Sequence, residues 1–328
     1  MTVEQTFQAR EQASASTLVY LGLSEDLGAG GDLTCAALID PQQRATVNVV
    51  ARQPGVLAGA PVGRMVFAQL DASISWTAKK QDGDRVAGGD VVATVSGPLD
   101  KLLIGERTML NFLTHLSGIA TLTRRFVDAV VGTEAQILDT RKTLPGYRVL
   151  EKYAVRCGGG TNHRLGLYDG VLIKDNHLAA WTASRSIADA VRAARAKSPP
   201  GVSIEVEVDT LEQLRDALEG RPDIVLLDNM PPAMLREAVA IRDAFVASLS
   251  PPSPDGGLMR QNLSKEAPDP RSGDRGLSVL LEASGGVTLD TVREIALTRV
   301  ERISIGALTH SAPALDLAFD WNSADAQG

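Results

Sequence analysis

Hydrophobic and polar residues alternate differently in two parts of the chain. Up to about residue 97, short β-rich runs at 45–52, 56–58, 74–78 and 91–96 are separated by turn residues such as Gly83 and Gly88. Apolar residues then follow at helical spacing over 99–117, and Pro98 suits the first position of that helix. Gly118 interrupts the spacing, so a second helix is predicted over 119–131. The first part therefore predicts short strands followed by two helices.

From residue 135 onward, short apolar strands alternate with helical segments. The predicted strands are 136–139, 170–174, 203–208, 223–227, 278–282 and 302–305, and the predicted helices are 146–156, 185–197, 211–218, 233–247 and 289–297. Thr210 with Gln213 predicts a capping box, and Gly220 stands where that helix is expected to end. This alternation indicates parallel βαβ units, in a barrel or in a doubly wound sheet.

The residues that follow the strands favour the barrel. Polar or glycine residues follow all six predicted strands, and a barrel gathers its strand ends at one face, where several strands contribute catalytic groups. A doubly wound sheet would concentrate its site at one switch point instead. The predicted fold class is therefore α/β, with an incomplete barrel because only six strands are clear.

Composition and charge exclude several functions. Among the 328 residues, 33 Lys and Arg stand against 40 Asp and Glu, and the net charge of −7 disfavours binding to a nucleic-acid backbone. Two cysteines, Cys35 and Cys157, cannot form a disulfide framework. A polar start and the lack of a long apolar run predict neither a signal peptide nor a membrane span. We therefore expect a cytoplasmic protein that acts on small molecules.

Residues 250–276 differ from the rest of the barrel part. They contain five prolines, four glycines and eight charged residues, with little apolar content. Such a composition cannot bury a core, so we predict a disordered or mobile insertion between a helix and the next strand. A tolerated surface insertion is the default interpretation, and a partner-binding segment is the alternative.

Cationic residues recur at the predicted strand ends. Arg141 and Lys142 follow the first of these strands, His163 and Arg164 follow a glycine-rich loop, and Lys174 ends the next strand. A single Arg-Lys pair is usually a solvated turn, but a lysine at the end of an apolar strand is harder to explain in that way. Together they predict a cup that binds a substrate with several negative charges.

Carboxylates are predicted to lie beside this cup. Glu205, Glu207 and Asp209 alternate along one strand and so share a face, and Asp228 ends the neighbouring strand. Glu207 and Asp228 could hold Mg²⁺, which prefers oxygen ligands and bridges substrate phosphates. General acid–base catalysis by a pair of acids is the rival interpretation.

Small residues after the last two strands predict phosphate binding. Ser284, Gly285 and Gly286 precede a predicted helix led by Thr288, and Gly306 with Ala307 follows the final strand. His310 lies close to the second loop and is a better candidate than His177, whereas His115 is predicted to be a packing histidine. No Cys/His cluster, Walker loop or dinucleotide fingerprint is present, which argues against zinc and bound nucleotide cofactors.

These motifs resemble the quinolinate phosphoribosyltransferase family. In the second part the resemblance rests on DTRKTLPG (139–146), EKYAVRCGGG (151–160), NHR (162–164), LIKDNH (172–177), EVEVD (205–209), LLDN (226–229), EASGG (282–286) and IGALTH (305–310). In the first part it rests on EDLG (25–28), GDLT (31–34), GVLAG (55–59), GERTMLN (105–111) and SGIAT (117–121). The chain departs from the family at the 250–276 insertion and at Thr114, where glutamine is usual.

The resemblance implies an architecture and a reaction. It implies an N-terminal α/β sandwich and dimerisation domain over 1–131, an open α/β barrel of about six to seven strands over 132–312, and a tail over 313–328 that packs back toward the N-terminal domain. The implied reaction joins quinolinate and phosphoribosyl pyrophosphate to give nicotinate mononucleotide, pyrophosphate and CO₂ with Mg²⁺, in NAD biosynthesis, by a homodimer or larger assembly.

The resemblance also implies roles for single residues. Arg107 would enter the partner's active site, and Arg141, His163 and Arg164 would hold the quinolinate carboxylates. Lys142 and Lys174 would lie between substrate and phosphates, while Glu207 and Asp228 serve the ribose and Mg²⁺. The remaining substrate-binding residues would be Thr140, Ser284, Gly285, Gly286, Ile305, Gly306, Ala307 and His310, most of them around the 5′-phosphate.

Three other functions remain open at this point. A paralogue of the same fold linked to molybdenum transport is one, and a relative that uses nicotinate is another, although the number of cations favours a dicarboxylate. The third is a ligand-binding module, since residues 81–93 resemble half of a lipoyl or biotinyl carrier motif. A carrier needs a lysine at a hairpin tip, whereas Lys79 and Lys80 precede the motif.

Overall fold

A computed structural model describes residues 6–181, 186–249 and 278–321. The helices are α1 (Ala9–Leu27), α2 (Leu33–Leu38), α3 (Ala60–Leu70), α4 (Leu99–Ala129), α5 (Arg148–Cys157), α6 (Asp175–Trp181), α7 (Ile187–Lys197), α8 (Leu211–Glu219), α9 (Pro232–Leu249), α10 (Val292–Ala296) and α11 (Ala307–His310). The strands are β1 (Arg44–Ala51), β2 (Gly55–Val56), β3 (Ser75–Ala78), β4 (Arg85–Val86), β5 (Val91–Pro98), β6 (Gln136–Leu138), β7 (Val171–Ile173), β8 (Ile204–Val208), β9 (Ile224–Asp228), β10 (Leu280–Ser284), β11 (Arg302–Ser304) and β12 (Leu317–Trp321).

The chain divides into two compact units. The first comprises Met1–Val127, Asp139–Asn162 and Gly306–Gly328, and the second comprises Asp128–Leu138 and His163–Ile305. Residues 139–162 and 306–312, which the sequence assigns to the barrel domain, thus group with the first unit. The predicted mobile insertion at 250–276 lies outside the described residues, as does the end of the predicted tail from residue 322 onward.

An antiparallel sheet organises the first unit. Its strand order is β12-β1-β5-β3, and a separate pair joins β2 to β4. The predicted strands at 45–52, 56–58, 74–78 and 91–96 agree with β1, β2, β3 and β5 to within a few residues. Near the end of the described chain, β12 pairs with β1, from Val47 opposite Trp321 to Ala51 opposite Leu317. The core under this sheet includes Val47, Val49, Phe67 and Val95, which are almost completely buried.

The long helix α4 corrects two sequence predictions. It runs for 31 residues without a break, so the two predicted helices at 99–117 and 119–131 are one. Pro98 is the last residue of β5 and not the first residue of this helix. Gly118 lies inside the helix. A Cβ at this position would stand 2.2 Å from the carbonyl oxygen of Pro313, which explains why the residue is glycine. This glycine permits close packing of the chain and does not end the helix.

The second unit is built on a parallel sheet. Six strands follow the order β6-β11-β10-β9-β8-β7, and within the described residues β6 and β7 lie at the two edges without pairing to each other. This confirms the predicted α/β class with an open barrel. All six predicted barrel strands are present within one to two residues of their predicted bounds. The capping box of Thr210 and Gln213 is formed, and α8 ends at Gly220 as predicted.

Helices account for most of the remaining differences, and the sequence pattern did not predict α1, α2 or α3 in the first part. The helix predicted over 289–297 is only the five-residue α10, which follows a turn in which the N–H of Thr291 donates to the carbonyl of Thr288. Two further short helices, α6 and α11, lack a sequence signal since each covers seven residues or fewer. The two cysteines are free and buried. None of the helices in the described ranges is long and apolar enough to cross a membrane.

Candidate active site

The two faces of the parallel sheet differ in chemistry. The register of β8, β9, β10 and β11 places one residue of each strand side by side, namely Glu207, Leu226, Glu282 and Arg302. Residues paired in register project to the same side, as do residues two positions apart on one strand. We therefore define the polar face of the sheet as Glu205, Glu207, Asp228, Glu282, Ser284, Arg302 and Ser304. The opposite face carries Val206, Val208, Val225, Leu227, Leu281, Ala283 and Ile303.

A buried group of charges occupies the middle of the polar face. The Nε2 atom of His163 lies 3.1 Å from a carboxylate oxygen of Glu205 and 3.3 Å from Oε1 of Glu282. The other oxygen of Glu282 accepts from Nε of Arg302 at 2.7 Å. Glu282 is completely buried and Glu205 nearly so. Glu282 is thus placed between His163 and Arg302, and Glu205 contacts the same atom of His163, all of them largely away from solvent.

The charges of this group shift its pKa values in opposite directions. Burial alone would lower the pKa of His163, but the carboxylates of Glu282 and Glu205 outweigh it and raise that pKa to about 10. Burial opposes ionisation of Glu282 too, yet the positive charges of His163 and Arg302 hold the pKa of this carboxyl well below its usual range. The backbone N–H of Arg164 donates to Nδ1 of His163 at 2.8 Å. A proton bound to Nδ1 would occupy the lone pair that accepts this hydrogen bond, so the proton and the amide compete for the same site on the ring.

His163, which is predicted to contact the substrate, makes protein contacts with both ring nitrogens. In the structure its Nε2 faces Glu205 and Glu282, and its Nδ1 accepts from the amide of Arg164. A substrate carboxylate would need the Nδ1 side of the ring. Arg164, also predicted to bind substrate, donates from Nη1 to the carbonyl oxygen of Gly170 at 3.0 Å.

Lys174 and Glu207 form an ion pair at the end of β7 and β8. The Nζ atom of Lys174 lies 2.5 Å from Oε2 of Glu207. The lysine side chain is 45% exposed, so the ion pair is open to water on the lysine side. Asp228, which ends β9, lies two residues beyond Leu226, the register partner of Glu207, and is partly exposed. Both carboxylates are therefore on the polar face at the carboxyl end of the sheet.

Carboxylate oxygens at this position fit the donors that Mg²⁺ prefers. Lys174 already neutralises one oxygen of Glu207, so a metal ion there would share that carboxylate with the lysine. A second possible metal site is formed by His163, Glu205 and Glu282. Each offers one potential ligand atom, and these three atoms lie within 4.8 Å of one another. Because Arg302 and His163 already balance those two carboxylates, this second group is a set of ion pairs and lacks the negative charge that would attract a cation.

The glycine loop after β10 has the backbone that a phosphate site requires. Gly285 and Gly286 both have positive φ, 92° and 61°, and a Cβ on Gly285 would stand 2.3 Å from the side-chain oxygen of Asn229. Only glycine fits there. Ser284 is in register with Asp228, which brings this loop next to the carboxylates. The expected helix N-terminus behind the loop is missing, since α10 begins six residues later and is short.

The segment Thr140–Lys142 belongs to the first unit. Arg141 is partly exposed, but its Nε is buried and has no hydrogen-bond partner among the described residues. The carbonyl oxygen of Lys142 accepts from Oγ1 of Thr309 at 2.7 Å, and the amide of Lys142 donates to Oγ1 of Thr140. An orphaned guanidinium N–H is a donor that a ligand carboxylate would satisfy.

Gly306 lies close to two of the predicted site residues. A Cβ at Gly306 would come within 2.9 Å of the Lys142 side chain and 3.2 Å of Nε2 of His310. The structure thus brings Lys142, Gly306 and His310 together within the first unit, with Ala307 beginning α11 directly afterwards. His310 is exposed, and its Nδ1 pairs with the hydroxyl of Ser311. Ile305 is buried in the second unit, where its N–H donates to the carbonyl of Leu138.

Two further histidines make specific hydrogen bonds. His115 is not simply packed, because its Nε2 contacts Oε1 of the buried Glu151 at 2.9 Å. Glu151 in turn accepts from the N–H of Leu144 at 3.2 Å. His177 accepts from the N–H of Lys174 and so fixes the backbone after β7. Arg107 is exposed on α4.

Sequence reasoning missed Glu282, Arg302 and the role of Glu205. One available signal was Glu282 itself, a charged residue inside the apolar run VLLEA (279–283). Charged side chains in buried strands are rare unless they are paired, so this residue predicts a partner. The partner could not be identified, because strand order was unknown.

The chain matches known protein families along most of its length. Residues 32–117 match "Quinolinate phosphoribosyl transferase, N-terminal domain", and residues 119–320 match "Quinolinate phosphoribosyl transferase, C-terminal domain". A curated relative from Mycobacterium leprae, "Nicotinate-nucleotide pyrophosphorylase [carboxylating]", is 42% identical over 309 residues, which cover 94% of this chain and 97% of the relative. The "Probable nicotinate-nucleotide pyrophosphorylase [carboxylating]" of Bacillus subtilis is 40% identical over 296 residues, covering 90% and 89%.

Solved structures are similar as well. The nicotinate-nucleotide pyrophosphorylase from Francisella tularensis superposes with a TM-score of 0.78 at 34% identity, covering 94% of this chain and 96% of that one. The nicotinate-nucleotide pyrophosphorylase from Ehrlichia chaffeensis also superposes with a TM-score of 0.78 at 34% identity, covering 94% of this chain and 98% of that one.

Proposed function

The chain belongs to the quinolinate phosphoribosyltransferase family, and on that premise we propose that it converts quinolinate and phosphoribosyl pyrophosphate into nicotinate mononucleotide, pyrophosphate and CO₂. It is accordingly a pentosyltransferase of NAD biosynthesis. The observation that carries the proposal is the match to both domains of the family, with 42% identity across nearly the whole of a curated relative.

Arg141 gives this proposal support at the level of the site. Its buried Nε lacks a partner in the described structure, and a guanidinium binds carboxylates through two parallel hydrogen bonds. Quinolinate carries two adjacent carboxylates, so its binding would satisfy this donor. We assign Arg141, Arg164 and the Nδ1 side of His163 to the carboxylates, and Lys142 and Lys174 to the region between substrate and phosphates.

The loops of small residues are assigned to the 5′-phosphate. Gly285 and Gly286 present backbone N–H groups in a positive-φ turn, which suits an anion even without a long helix behind it. Ser284 adds a hydroxyl. Ile305, Gly306, Ala307 and His310 would form the second loop, and Thr140 would add a hydroxyl beside Arg141.

We assign Mg²⁺ to Glu207 and Asp228, because both offer carboxylate oxygens on the polar face. When bound, the ion would neutralise the phosphate charges and favour departure of pyrophosphate. Lys174, paired with Glu207 in the structure, would then be available to the substrate anion.

The reaction needs orientation and charge complementarity from the protein. The pyridine nitrogen forms a bond to ribose C1 while the bond from C1 to pyrophosphate breaks, and a carboxylate such as Glu207 stabilises the positive charge that develops at C1. The ribosylated nitrogen is cationic, so the adjacent ring carbon can release CO₂, retain the bonding electrons and then accept a proton. The cationic residues hold two polyanions in reactive geometry, which contributes most of the rate.

Release of CO₂ from carboxyl-labelled quinolinate tests this proposal. We expect label to be released only when phosphoribosyl pyrophosphate and Mg²⁺ are both present, with one pyrophosphate formed for each CO₂. Addition of EDTA should stop the release, and turnover that persists in EDTA would remove the magnesium assignment. Turnover of nicotinate in place of quinolinate, or no turnover with either acid, would refute the proposed function.

Arg107 is proposed to act across a homodimer or a larger assembly. Its side chain is exposed on α4, and nothing else in the described part of the chain gives it a role. We expect Arg107→Ala and Lys142→Ala each to be inactive. In a hybrid dimer one of the two sites keeps both wild-type residues, so the hybrid should recover about half of the wild-type activity per dimer. Tagged hybrids isolated by two-step affinity purification would show this. Hybrids that form but remain inactive would contradict donation of Arg107 to the partner.

A further inference from the structure

Asp139 is a completely buried carboxylate directly before the substrate-binding segment Thr140–Lys142. One of its oxygens pairs with Nζ of Lys152 on α5, which is also completely buried. The other oxygen accepts from Nδ2 of Asn162 at 2.6 Å. A buried lysine paired with a buried aspartate is costly to form, since both charges leave water.

The same group of contacts extends to the first helix. Asn162 also donates to the carbonyl oxygen of Lys152, and its Oδ1 accepts from Nη1 of Arg156 at 2.8 Å. Nη2 of Arg156 donates to Glu11 of α1 at 2.8 Å, and Glu11 is completely buried. We call Glu11, Asp139, Lys152, Arg156 and Asn162 the buried polar chain. Each member has a hydrogen-bonded partner of suitable charge, so the chain is satisfied along its length.

Stability alone does not explain this arrangement. A protein in which apolar residues of similar volume replace a buried ion pair is often as stable as the original protein, or more stable. The buried polar chain does, however, reach the first residue of two runs proposed to bind substrate. Asp139 opens DTRK (139–142), and Asn162 opens NHR (162–164). A rigid, fully hydrogen-bonded anchor at the start of each run would limit where Arg141 and Arg164 can point.

We propose that Asp139, Lys152 and Asn162 are positioning residues, which fix the start of both cation-bearing runs and so set the geometry in which the dicarboxylate is bound. This inference rests on the proposed function, because it concerns the same substrate. The three residues touch no substrate themselves. Their effect passes through the backbone to Arg141, Lys142 and Arg164.

The test is the double variant Asp139→Asn/Lys152→Met. It removes both buried charges together and leaves no unpaired ion, and an amide oxygen at 139 can still accept from Asn162. We expect the apparent Tm to stay within about 3 °C of wild type. We expect kcat/KM for quinolinate to fall between about 10-fold and 100-fold, because a small misplacement of binding groups has effects of that size.

A matched control is available in the second unit. Arg242 is buried and pairs with Glu301 at 2.8 Å, at the opposite end of the sheet from the polar strand ends. Arg242→Met/Glu301→Gln removes a largely buried ion pair, with side chains 10% and 17% exposed, and leaves Asp243, the other partner of Arg242, about half exposed to water. It should leave kcat/KM for quinolinate within twofold of wild type. A purely structural role for Asp139 and Lys152 would make the two double variants alike, shifting Tm without changing the kinetics of the folded protein.

Asn162→Ser keeps the inference testable if the double variant does not fold. Asn162 is partly exposed, and the shorter side chain loses its contact with Asp139 while the charges stay paired. The same fall in kcat/KM at near-normal Tm would support positioning, and wild-type kinetics in a folded Asn162→Ser or double variant would overturn it. An inactive wild type would instead refute the proposed function, so the two failures are distinguishable.

Discussion

Replacement of Arg141 by methionine is expected to raise KM for quinolinate by about 1,000-fold. Loss of one partner from a desolvated charge contact has an effect of about 4 kcal/mol, which is the free-energy equivalent of that ratio. The physical basis is the buried Nε of Arg141, which has no partner among the described residues and which a substrate carboxylate would satisfy. Methionine keeps an unbranched side chain as far as the position of Nε and removes every donor.

Steady-state kinetics with quinolinate varied at saturating phosphoribosyl pyrophosphate measure this effect. Arg64→Met on α3 is the matched control, since Arg64 is exposed and should leave KM unchanged. Arg141→Lys keeps the charge but loses the planar pair of donors, so it should recover only part of the affinity. If the KM for quinolinate of Arg141→Met is within twofold of the wild-type value, the assignment of Arg141 to the carboxylates is wrong.

Glu282→Gln is expected to be the most destabilising of the variants considered. The change leaves Arg302 and His163 in a buried environment with one of their two carboxylates neutralised. Breaking a buried ion pair from one side destabilises by about 3 to 5 kcal/mol, or about 5 to 15 °C in apparent Tm. Differential scanning calorimetry measures the shift.

Glu294→Gln provides the control for this variant. Glu294 carries the same carboxylate, but it pairs with Arg236 at 3.4 Å on the surface, where both side chains are more than half exposed. Surface pairs contribute little, so its Tm should stay within about 1 °C of wild type. Equal shifts for Glu282→Gln and Glu294→Gln would contradict the view that burial gives the Glu282 cluster its energetic importance.

The same cluster makes stability depend on pH at both ends of the range. The folded protein holds the pKa of Glu282 below its usual 4.5, so this contribution is complete above that pH and is lost as the pH falls. The pKa of His163 rises from 6.5 to about 10, so its contribution is complete below about pH 6.5 and is lost as the pH rises through 10. In Glu282→Gln the fall in Tm between pH 7 and 10 should be smaller than in wild type.

Much of the fold followed from local patterns. The barrel strands were predictable because each is a short apolar run followed by polar or glycine residues, and β8 and β9 agree closely with their predicted bounds. Helix α1 gave a weak pattern, since its buried face is narrow and rests on Ala15, Val19 and Leu23. Gly118 was misinterpreted because a glycine required by a neighbouring carbonyl looks the same in sequence as one that ends a helix.

The candidate site was predictable only in part. Cations after strands and the glycine loop could be recognised locally, and family resemblance supplied their roles. The cluster of His163, Glu205 and Glu282 could not be predicted, because its members come from distant parts of the sequence and meet only through strand order and register. The buried polar chain was missed for a similar reason, since Glu11 lies far from Asp139 in sequence and is linked to it through the side chains of Arg156 and Asn162.

The alternation of polar and apolar faces on the parallel sheet has a consequence for folding. A strand that slipped by one residue would turn Glu207 or Glu282 toward the hydrophobic layer and move Val208 or Ala283 among the charges. Either error would leave ions without counter-ions, so misregistered sheets are strongly disfavoured. The charged residues of the polar face therefore also disfavour misaligned strands, and a molecule of this chain that completes its sheet has assembled its polar face in the same step.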